Sequence, residues 1–306
     1  MTGYRIACLT KNRTNPAYVG AQVGAARLAE GLGCELRGYV PDRPDNVEDQ
    51  LGNIRDAMAW RPDAMLISPV DATALNDALA GVKDAGVTLV YFVTSTEGLE
   101  ADAFMTSDNY ALAKEIAEYL VRHLGGTGQV AILDGLAQSP TSPPRSKAFR
   151  DVVAAHPGLT LAGAQAGDYQ FDGGKQAMAS LLDEAPALDG VISANDIMAL
   201  GAMEAMDEAG RSVPIVGMNA MPDAVKAILA GRMLATVSYD ALSLVGMAVQ
   251  AAVRILDGKP VPGVVEMPAE IIDASNCAAW DRPFEQRPLP DWDTVMAALR
   301  AAEGPA

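Results

Sequence analysis

Short apolar runs alternate with longer amphipathic stretches along most of the chain. Runs rich in Val, Ile and Leu at 5–10, 64–68 and 88–93 predict strands that are buried on both faces of a parallel sheet. The stretches between them, such as 18–31 and 47–60, have one apolar face and predict helices. Strands and helices that alternate at this spacing indicate an α/β fold with right-handed crossovers.

One strand–turn–helix junction occurs twice, at 63–75 and at 189–200. Each copy runs from an Asp through an apolar strand and Ile-Ser to a two-residue turn, a second Asp and a helix. In the second copy we expect Asp196 to cap a helix that begins at Ile197. Asn195 follows the carboxyl end of the strand, where open α/β sheets bind ligands. The two copies predict two similar lobes with a ligand between them.

The strand–helix pattern restarts near the middle of the chain, which indicates two Rossmann-like lobes with parallel sheets. We predict a first lobe of residues 1–108 plus 240–268. The second lobe is predicted to contain residues 109–239 plus 269–306, with the ligand cleft between the two lobes.

The tail from Trp280 onward is rich in Pro and contains one short predicted helix. The apolar face of this helix carries Trp292, Val295, Met296 and Leu299. Packing in the core or in a dimer is the expected role of this face, rather than ligand binding.

The chain has 306 residues, enough for two domains, and half of them are apolar. Its formal net charge of −16 argues against nucleic-acid binding, because phosphates require a basic surface. No run of eighteen apolar residues is present, so no membrane insertion is expected. Residues 1–5 lead directly into the first strand, so we expect either a cytosolic chain or one whose secretory leader has been removed.

The three cysteines, Cys8, Cys34 and Cys277, lack the spacing of zinc or redox motifs. Small buried side chains are their expected role, and a Cys8–Cys34 disulfide between neighbouring strands is the open alternative. His123 and His156 fall near helix ends and are expected to be exposed turn residues rather than ligands or bases.

No catalytic motif stands out in the sequence. It contains no G-x-S-x-G elbow, no Walker phosphate loop, no H-E-x-x-H and no dinucleotide fingerprint after the first strand. The glycine-rich stretch at 125–128 precedes a strand instead of linking a strand to a helix, so it is expected to be a turn. We therefore predict a protein that is not an enzyme and needs neither cofactor nor metal.

Short motifs, each weak alone, follow one another in order between residues 4 and 277. They are Asn15-Pro16-Ala17-Tyr18, Ile67-Ser68-Pro69-Val70-Asp71, Ser107-Asp108-Asn109, Arg145 with Phe149, Asn195-Asp196-Ile197-Met198-Ala199-Leu200-Gly201, Val216-Gly217-Met218-Asn219 and Leu234-Ala235-Thr236-Val237. In this order and spacing the chain resembles the periplasmic sugar-binding proteins of ATP-driven (ABC) importers, of the ribose-binding type. The effector domains of lactose-repressor-type regulators share the fold of that family.

The resemblance implies a type I periplasmic binding protein, in which two lobes joined by a three-strand hinge close over one small polar ligand. Carried over residue by residue, it implies a site formed by Lys11, Asn15, Tyr18, Ser68, Asn109, Arg145, Tyr169, Phe171, Asn195, Asn219 and Tyr239. Tyr18 and either Tyr169 or Phe171 would sandwich a sugar ring, with packing in its own helix as the alternative role of Tyr18. Asp108 and Asp196 precede helices and are expected to be caps instead.

Three positions depart from the pattern of the sugar-binding family. Val93-Thr94 stands in place of an Asp-Arg pair, Asn219 in place of an Asp, and Pro143 where an Arg is usual, although Arg145 follows. Acceptors for sugar hydroxyls are thus absent, while Lys11 adds a positive charge at the cleft edge. The exchange favours an acidic polyhydroxy ligand over a common aldopentose, and a Lys11 that points into solvent is the alternative.

We predict a periplasmic solute-binding protein that delivers a sugar, polyol or sugar acid to the permease of an ABC importer. The first alternative is the ligand-sensing domain of a lactose-repressor-type regulator that lacks its DNA-binding segment. The acidic charge and the absence of a helix-turn-helix before Tyr4 disfavour it. An α/β enzyme is the second alternative, and the missing nucleophile and base sets disfavour it.

Overall fold

A computed structural model describes residues 3–302, in which strands and helices alternate. The strands of this range are β1 (Arg5–Leu9), β2 (Glu35–Tyr39), β3 (Ala64–Ile67), β4 (Thr88–Phe92), β5 (Ala103–Thr106), β6 (Gly128–Asp134), β7 (Leu159–Ala166), β8 (Gly190–Ser193), β9 (Ile215–Met218), β10 (Ala235–Val237), β11 (Val264–Glu266) and β12 (Ile271–Asp273). The helices are α1 (Pro16–Gly31), α2 (Val47–Ala59), α3 (Asn76–Asp84), α4 (Asn109–His123), α5 (Ser142–Ala155), α6 (Phe171–Glu184), α7 (Asp196–Glu208), α8 (Pro222–Leu229), α9 (Ala241–Leu256) and α10 (Trp292–Ala302). Within the described range, none of these helices has the length and apolar character needed to cross a membrane.

The chain forms two compact units, which confirms the expected pair of α/β lobes. The first unit contains the described residues of Met1–Ser107, Asp240–Pro268 and Phe284–Ala306. The second unit contains Asp108–Tyr239 and Ala269–Pro283. The chain therefore passes from one unit to the other four times, once more than the three crossings that the resemblance implied.

The sheet of the first unit has six parallel strands in the order β11-β5-β4-β3-β1-β2. Strands β3 and β4 are buried along their whole length, as their uninterrupted apolar sequences predict. Helices α2 and α3 pack on the face that includes Ala7, Leu9, Met65 and Ile67. Helices α1 and α9 pack against each other and α9 contacts the sheet. This arrangement places the first turns of α1 and α2 beside the carboxyl ends of the strands.

The sheet of the second unit has the order β12-β10-β9-β8-β6-β7. Its neighbouring strands are parallel except for β12, which runs antiparallel to β10 at the edge. Helices α6 and α7 form one packed pair and α4 and α5 form another. The same strand-then-helix order therefore brings the first turns of α4, α5 and α7 to the carboxyl ends of this sheet.

Two helix starts differ from the prediction because an asparagine caps each helix. Helix α1 begins at Pro16, since Asn15 Oδ1 accepts the Ala17 N–H at 3.0 Å and a proline suits the first helical position. Helix α7 begins at Asp196, and Asn195 Oδ1 accepts the Met198 N–H at 3.0 Å. The prediction that Asp196 caps this helix was therefore wrong. The expected cap at the start of α4 is confirmed, because the Asp108 carboxylate accepts two backbone N–H groups of that helix.

The tail belongs to the first unit, whereas the sequence analysis assigned residues 269–306 as a whole to the second lobe. The Phe284 ring lies against α1 at Gly20, where a Cβ would come within 2.7 Å of it. Arg27 Nη1 on α1 donates to the carbonyl oxygens of Phe284 at 2.9 Å and Arg287 at 2.8 Å. These contacts hold the tail on the first unit, so its predicted place in the second lobe was wrong. Residues 1–2 and 303–306 of the predicted lobes lie outside the described range.

The expected apolar face of the tail helix is partly buried in the first unit. Trp292 is 6% exposed, and the Arg254 guanidinium of α9 lies 4.9 Å from its ring centre. Gln250 of α9 accepts the Trp292 N–H at 3.0 Å and donates to Pro290 O at 2.9 Å. The face therefore packs within the chain, as the core alternative of the prediction stated.

All three cysteines are free thiols. Cys8 lies opposite Gly38 of β2, and Cys34 precedes Gly38 by four residues. At about 3.3 Å per residue the Cα atoms of Cys8 and Cys34 are roughly 13 Å apart. A disulfide requires less than about 7 Å, so the geometry excludes the Cys8–Cys34 alternative. Burial raises the pKa of the Cys8 thiol to about 12, which keeps it protonated.

We expect the native protein to be alkylated by iodoacetamide at Cys34 and not at Cys8 or Cys277, which are 0% and 1% exposed. Peptide mass spectrometry after native and denatured labelling measures this directly. The Cys34→Ser variant is the control and should take up no label until it is unfolded. Label on Cys8 in the native protein would contradict the burial described here.

We expect Phe284→Ala to lower the free energy of unfolding by about 3 kcal/mol, because the ring loses its packing against α1. Urea unfolding followed by circular dichroism measures the change. Val19→Ala is the matched control, since Val19 precedes Gly20 on the same helix and is 46% exposed. Its effect should stay within about 0.5 kcal/mol. Equal stability of the Phe284 variant and the wild type would show that the tail does not support α1.

Candidate functional site

Polar side chains converge at the carboxyl ends of the first four strands in the first unit. Lys11 and Asn12 follow β1, Asp45 follows β2, Ser68 follows β3 and Thr94 follows β4. Parallel strands bring all of these ends to one edge of the sheet, where open α/β sheets bind their ligands. We call this set of loops the first strand-end face.

Lys11 is 2% exposed, so its side chain does not extend into solvent. Its carbonyl oxygen accepts the Asp45 N–H at 3.1 Å, and the Asp45 carboxylate accepts from Asn12 Nδ2 at 2.8 Å. Burial raises the pKa of Asp45, and the positive charge of Lys11 acts in the opposite direction. The backbone N–H groups of Thr73 and Ala74 are the main cause of the lowered pKa of Asp71, and the charge of Lys11 adds the smallest contribution. The ammonium group of Lys11 therefore lies within electrostatic range of two carboxylates of its own unit.

The Ser68 hydroxyl is part of a hydrogen-bonded pair rather than an isolated group. Thr94 Oγ1 donates to the carbonyl of Pro69 at 2.9 Å and lies 3.0 Å from Ser68 Oγ. Because the single Thr94 proton is used on Pro69, Ser68 must donate to Thr94. Ser68 therefore holds the β4 loop against the β3 loop and can only accept from a further group.

Asn15 and Tyr18 lie in the first turn of α1. The Asn15 side-chain oxygen caps this helix, and its backbone N–H donates to Asn12 Oδ1 at 2.8 Å. Tyr18 is 8% exposed. Both residues thus follow Lys11 closely in sequence, Asn15 is bonded to Asn12, and the role of the two in ligand binding stays a prediction.

Arg145 of α5 is the centre of a second group of polar residues, in the second unit. Its Nε donates to Asn109 Oδ1 at 2.9 Å and its Nη1 donates to Ala194 O at 2.6 Å. The guanidinium carbon lies 4.9 Å from the ring centre of Tyr239 and 6.0 Å from that of Tyr169. The structure therefore brings four of the predicted residues together, and we call this group the second strand-end face.

The charge of Arg145 has only neutral neighbours. The side chain is 3% exposed, and within residues 3–302 no carboxylate forms an ion pair with it and its Nη2 donates no hydrogen bond. A buried guanidinium normally pairs with an anion or uses all its donors, because an unpaired buried charge is costly. The Nη2 edge of Arg145 is thus left with N–H donors that no described residue uses.

Asn219 and Tyr239 lie in adjacent loops of the same unit. Asn219 follows β9 with φ of 113°, a backbone conformation that asparagine tolerates better than most residues. Its Nδ2 donates to the Tyr239 carbonyl at 3.3 Å. Tyr239 is 1% exposed and Asn195, 2% exposed, follows β8. All three predicted residues therefore stand at strand ends of the second sheet.

Asp196 ties together two neighbouring loops instead of capping its helix. Its Oδ1 accepts from Thr236 Oγ1 of β10 at 2.7 Å, and its Oδ2 accepts the Met221 N–H at 2.8 Å. The residue is 0% exposed, and Gly217 of β9 leaves the space that its carboxylate fills. Asp196 therefore fixes the loop that carries Asn219.

The structure separates the two candidate aromatics after β7. Tyr169 packs on Gly135, where a Cβ would overlap its ring, and its hydroxyl lies 3.0 Å from Thr141 Oγ1. Phe171 instead lines a hollow of about 440 Å³ between α7 and α8, together with Leu200 and Met203. Of the two, only Tyr169 lies near Arg145, so Phe171 is left out of the site proposed below.

Left-handed backbone at residues other than glycine is concentrated at these strand ends. Within the described range seven such residues have positive φ, and one of them, Arg61, lies at the other end of the first sheet. The other six follow β2, β4, β7 and β9: Asp45, Val93, Asp168, Tyr169, Asn219 and Ala220. Backbone strain of this kind persists where tight packing holds it and is typical of functional sites.

Neither strand-end face has the composition of a metal centre. No group of three or more His, Cys, Asp or Glu residues within the described range is arranged to hold a metal ion. His156 lies at the end of α5, where its Nε2 is 3.4 Å from the Glu118 carboxylate and its Nδ1 is 2.8 Å from Val152 O. The chemistry that the two faces offer is hydrogen bonding and packing on aromatic rings.

Sequence reasoning missed several residues of the first strand-end face. Asn12, Asp45 and Thr94 are polar residues that follow predicted strands. The alternation of strands and helices alone could therefore have marked them as candidates. Gln50 was missed on α2, although it lies four residues before Ile54 on the buried side of that helix. A polar residue on the apolar face of a predicted helix marks a buried hydrogen-bonding role.

The chain is similar to known proteins of one family over most of its length. A family model described as "Periplasmic binding protein domain" matches residues 6–260. The ribose import binding protein RbsB of Escherichia coli (strain K12) is 30% identical over 257 residues, which cover 84% of this chain and 86% of that protein. The D-ribose/D-allose-binding protein of Pseudomonas aeruginosa is 28% identical over 287 residues, covering 88% and 89%.

One solved structure has the same fold over most of its length. It is an ABC transporter periplasmic solute binding protein from Actinobacillus succinogenes 130z with bound D-allose, with a TM-score of 0.86 and 23% identity. The match covers 90% of this chain and 99% of that chain. Because the family model spans most of the chain, this protein belongs to the periplasmic binding protein family.

Proposed function

We propose that this protein is the solute-binding component of an ABC importer and binds one small polyhydroxylated molecule. Each of the two units carries one strand-end face that contains predicted binding residues. The observation that carries the proposal is the buried Arg145 guanidinium, which lies 4.9 Å and 6.0 Å from two tyrosine ring centres and keeps an open donor edge.

The residues of the second strand-end face suit a sugar or polyol. A guanidinium donates two parallel hydrogen bonds to neighbouring oxygens. In the adjacent loops, Asn195 Oδ1 caps α7 and Asn219 Nδ2 donates to Tyr239 O, which leaves Asn195 Nδ2 as a donor and Asn219 Oδ1 as an acceptor. The Tyr239 and Tyr169 rings offer apolar faces to the C–H groups of a sugar ring. Binding of this kind is non-covalent and uses no cofactor.

The relatives support transport over regulation. The E. coli relative is named for ribose import, and the A. succinogenes structure is that of an ABC transporter solute binding protein with D-allose. Both names favour a binding protein that works in the periplasm with a membrane permease, and neither favours a transcription regulator. In the proposal, the solute-bound form of the protein is the one that the permease recognises.

The finer part of the proposal is that the solute carries an acidic group. The sequence argument gave this role to Lys11, but Asp45 and Asp71 already lie within electrostatic range of its charge. Arg145 has only neutral neighbours, so it is the residue that an anionic group would approach. Hydrogen bonds to charged groups contribute about 1.5–3 kcal/mol, against roughly 1 kcal/mol for neutral ones.

We expect a sugar to raise the melting temperature of the protein, because a solute that binds the native state alone stabilises it by about 2.7 kcal/mol at 100 times Kd. Thermal-shift assays followed by calorimetry would compare D-ribose, D-allose, D-galactose and D-galacturonate. The last two differ in one carboxylate and test the acidic group directly. We expect D-galacturonate to shift the melting temperature more than D-galactose does.

Two results would count against the proposal, and they are distinguishable. A larger shift with every neutral sugar than with D-galacturonate would contradict the proposal that the solute is acidic. The sugar-binding role would remain supported. No shift with any sugar of the panel, together with no small molecule in native mass spectra of the purified protein, would contradict the sugar-binding role itself.

We expect Arg145→Met to weaken binding of the best sugar of that panel by roughly 10- to 150-fold, because the bound oxygen loses a charged donor. Calorimetry measures the affinity. Arg150→Met is the matched control, since Arg150 lies on the same helix and its Nη2 pairs with the Asp134 carboxylate at 2.7 Å. The control should keep the affinity of the wild type. An unchanged affinity in the Arg145 variant would exclude Arg145 from the site.

A further inference from the structure

Gln50 satisfies three backbone groups at once on the first strand-end face. Its Nε2 donates to Ser68 O at 2.9 Å and to Thr10 O at 3.3 Å. Its Oε1 accepts the Val70 N–H at 2.9 Å. Two acceptors on one side and a donor on the other fix the orientation of the carboxamide.

Among residues 3–302, only Gln50 forms hydrogen bonds with the Thr10 carbonyl, the Ser68 carbonyl and the Val70 N–H. The ladder between β1 and β3 ends where the Ser68 N–H donates to Leu9 O at 3.0 Å, one step before them. Gln50, Thr10 and Ser68 are 0% exposed and Val70 is 3% exposed, so bulk water does not reach them. Loss of the carboxamide would leave two carbonyls and one N–H buried without partners.

The loops that Gln50 joins are the ones that carry predicted binding residues. Thr10 directly precedes Lys11, and Ser68 is itself part of the predicted site. Gln50 lies in the first turn of α2, and its own N–H donates to Asn46 O at 3.1 Å. The Gln50 side chain therefore fixes both loops relative to helix α2.

We infer that Gln50 is a positioning residue of the solute site, whose buried carboxamide holds the loop after β1 at a fixed distance from the loop after β3. It does not touch the solute. The inference rests on the proposed function for its effect on affinity, whereas its effect on the loops can be measured without any solute.

The test compares Gln50→Leu, Gln50→Glu and Ile54→Ala. The Leu variant removes all three hydrogen bonds. The Glu variant keeps an acceptor for the Val70 N–H and cannot donate to the Thr10 and Ser68 carbonyls as a carboxylate. Ile54 lies one turn further along the same helix, is 2% exposed and packs among apolar residues, so Ile54→Ala reduces stability without removing a strand-end contact.

Affinity is measured by calorimetry with D-ribose, D-allose and D-galacturonate as probes, at a temperature where circular dichroism shows each variant to be fully folded. We expect both Gln50 variants to bind the probe of highest affinity roughly tenfold or more weakly than the wild type. Ile54→Ala should bind within about twofold of the wild type at a comparable loss of melting temperature. Unchanged affinity in both Gln50 variants, or an equal loss in Ile54→Ala, would overturn the inference.

Amide hydrogen exchange without solute provides the second readout. We expect faster exchange at Val70 in Gln50→Leu, protection of Val70 in Gln50→Glu, and no change confined to this loop in Ile54→Ala. If the wild type binds none of the probes, the proposed function fails for these sugars while the exchange data still decide the positioning role. Exchange at Val70 that is the same in Gln50→Leu and the wild type would refute that role.

Discussion

The parallel sheets of this protein end in buried loops, and the backbone groups beyond the last ladder bond must find partners without help from water. Side chains from elsewhere in the chain supply them. In the first unit Gln50 serves the carbonyls of Thr10 and Ser68 at 3.3 and 2.9 Å. In the second unit Asp196 accepts the Met221 N–H at 2.8 Å. The same side chains that satisfy the loops also determine where the predicted binding residues stand.

The repeated junction of the sequence meets this constraint differently in its two copies. Asp71 Oδ1 accepts the N–H groups of Thr73 and Ala74, both at 2.8 Å, and so closes a local turn. Asp196 occupies the matching place in the second copy, but it is fully buried and reaches Thr236 on another strand. Gly217 on the adjacent strand makes room for its carboxylate. One sequence pattern therefore has two roles, because the neighbouring strand decides what the carboxylate can reach.

Structural features that depend only on residues close together in the chain could be predicted from the sequence. Strand and helix types follow from periodicity within a few residues, so the two α/β lobes were predictable, and the position of Arg145 followed from the family resemblance. The position of the tail could not be predicted in this way, because it depends on the hydrogen bond from Arg27 to the carbonyl of Phe284, 257 residues away. The roles of Gln50 and Asp196 likewise depend on partners about forty residues distant. No periodicity encodes such pairs, although a polar residue on a buried helix face can be recognised as one half of a pair.

Each unit contains a buried cation, and the groups around it differ between the two units. The positive charge of Lys11 acts to lower the pKa of both Asp45 and Asp71, so Lys11 has carboxylates of its own unit within electrostatic range. Arg145 contacts a carbonyl, an amide oxygen and the rings of two tyrosines, all of them neutral. An ion pair is worth more at low dielectric, and charge-assisted hydrogen bonds are about twice as strong as neutral ones. We therefore propose that any preference for an acidic solute comes from Arg145, and that Gln50 positions the loops of the first strand-end face.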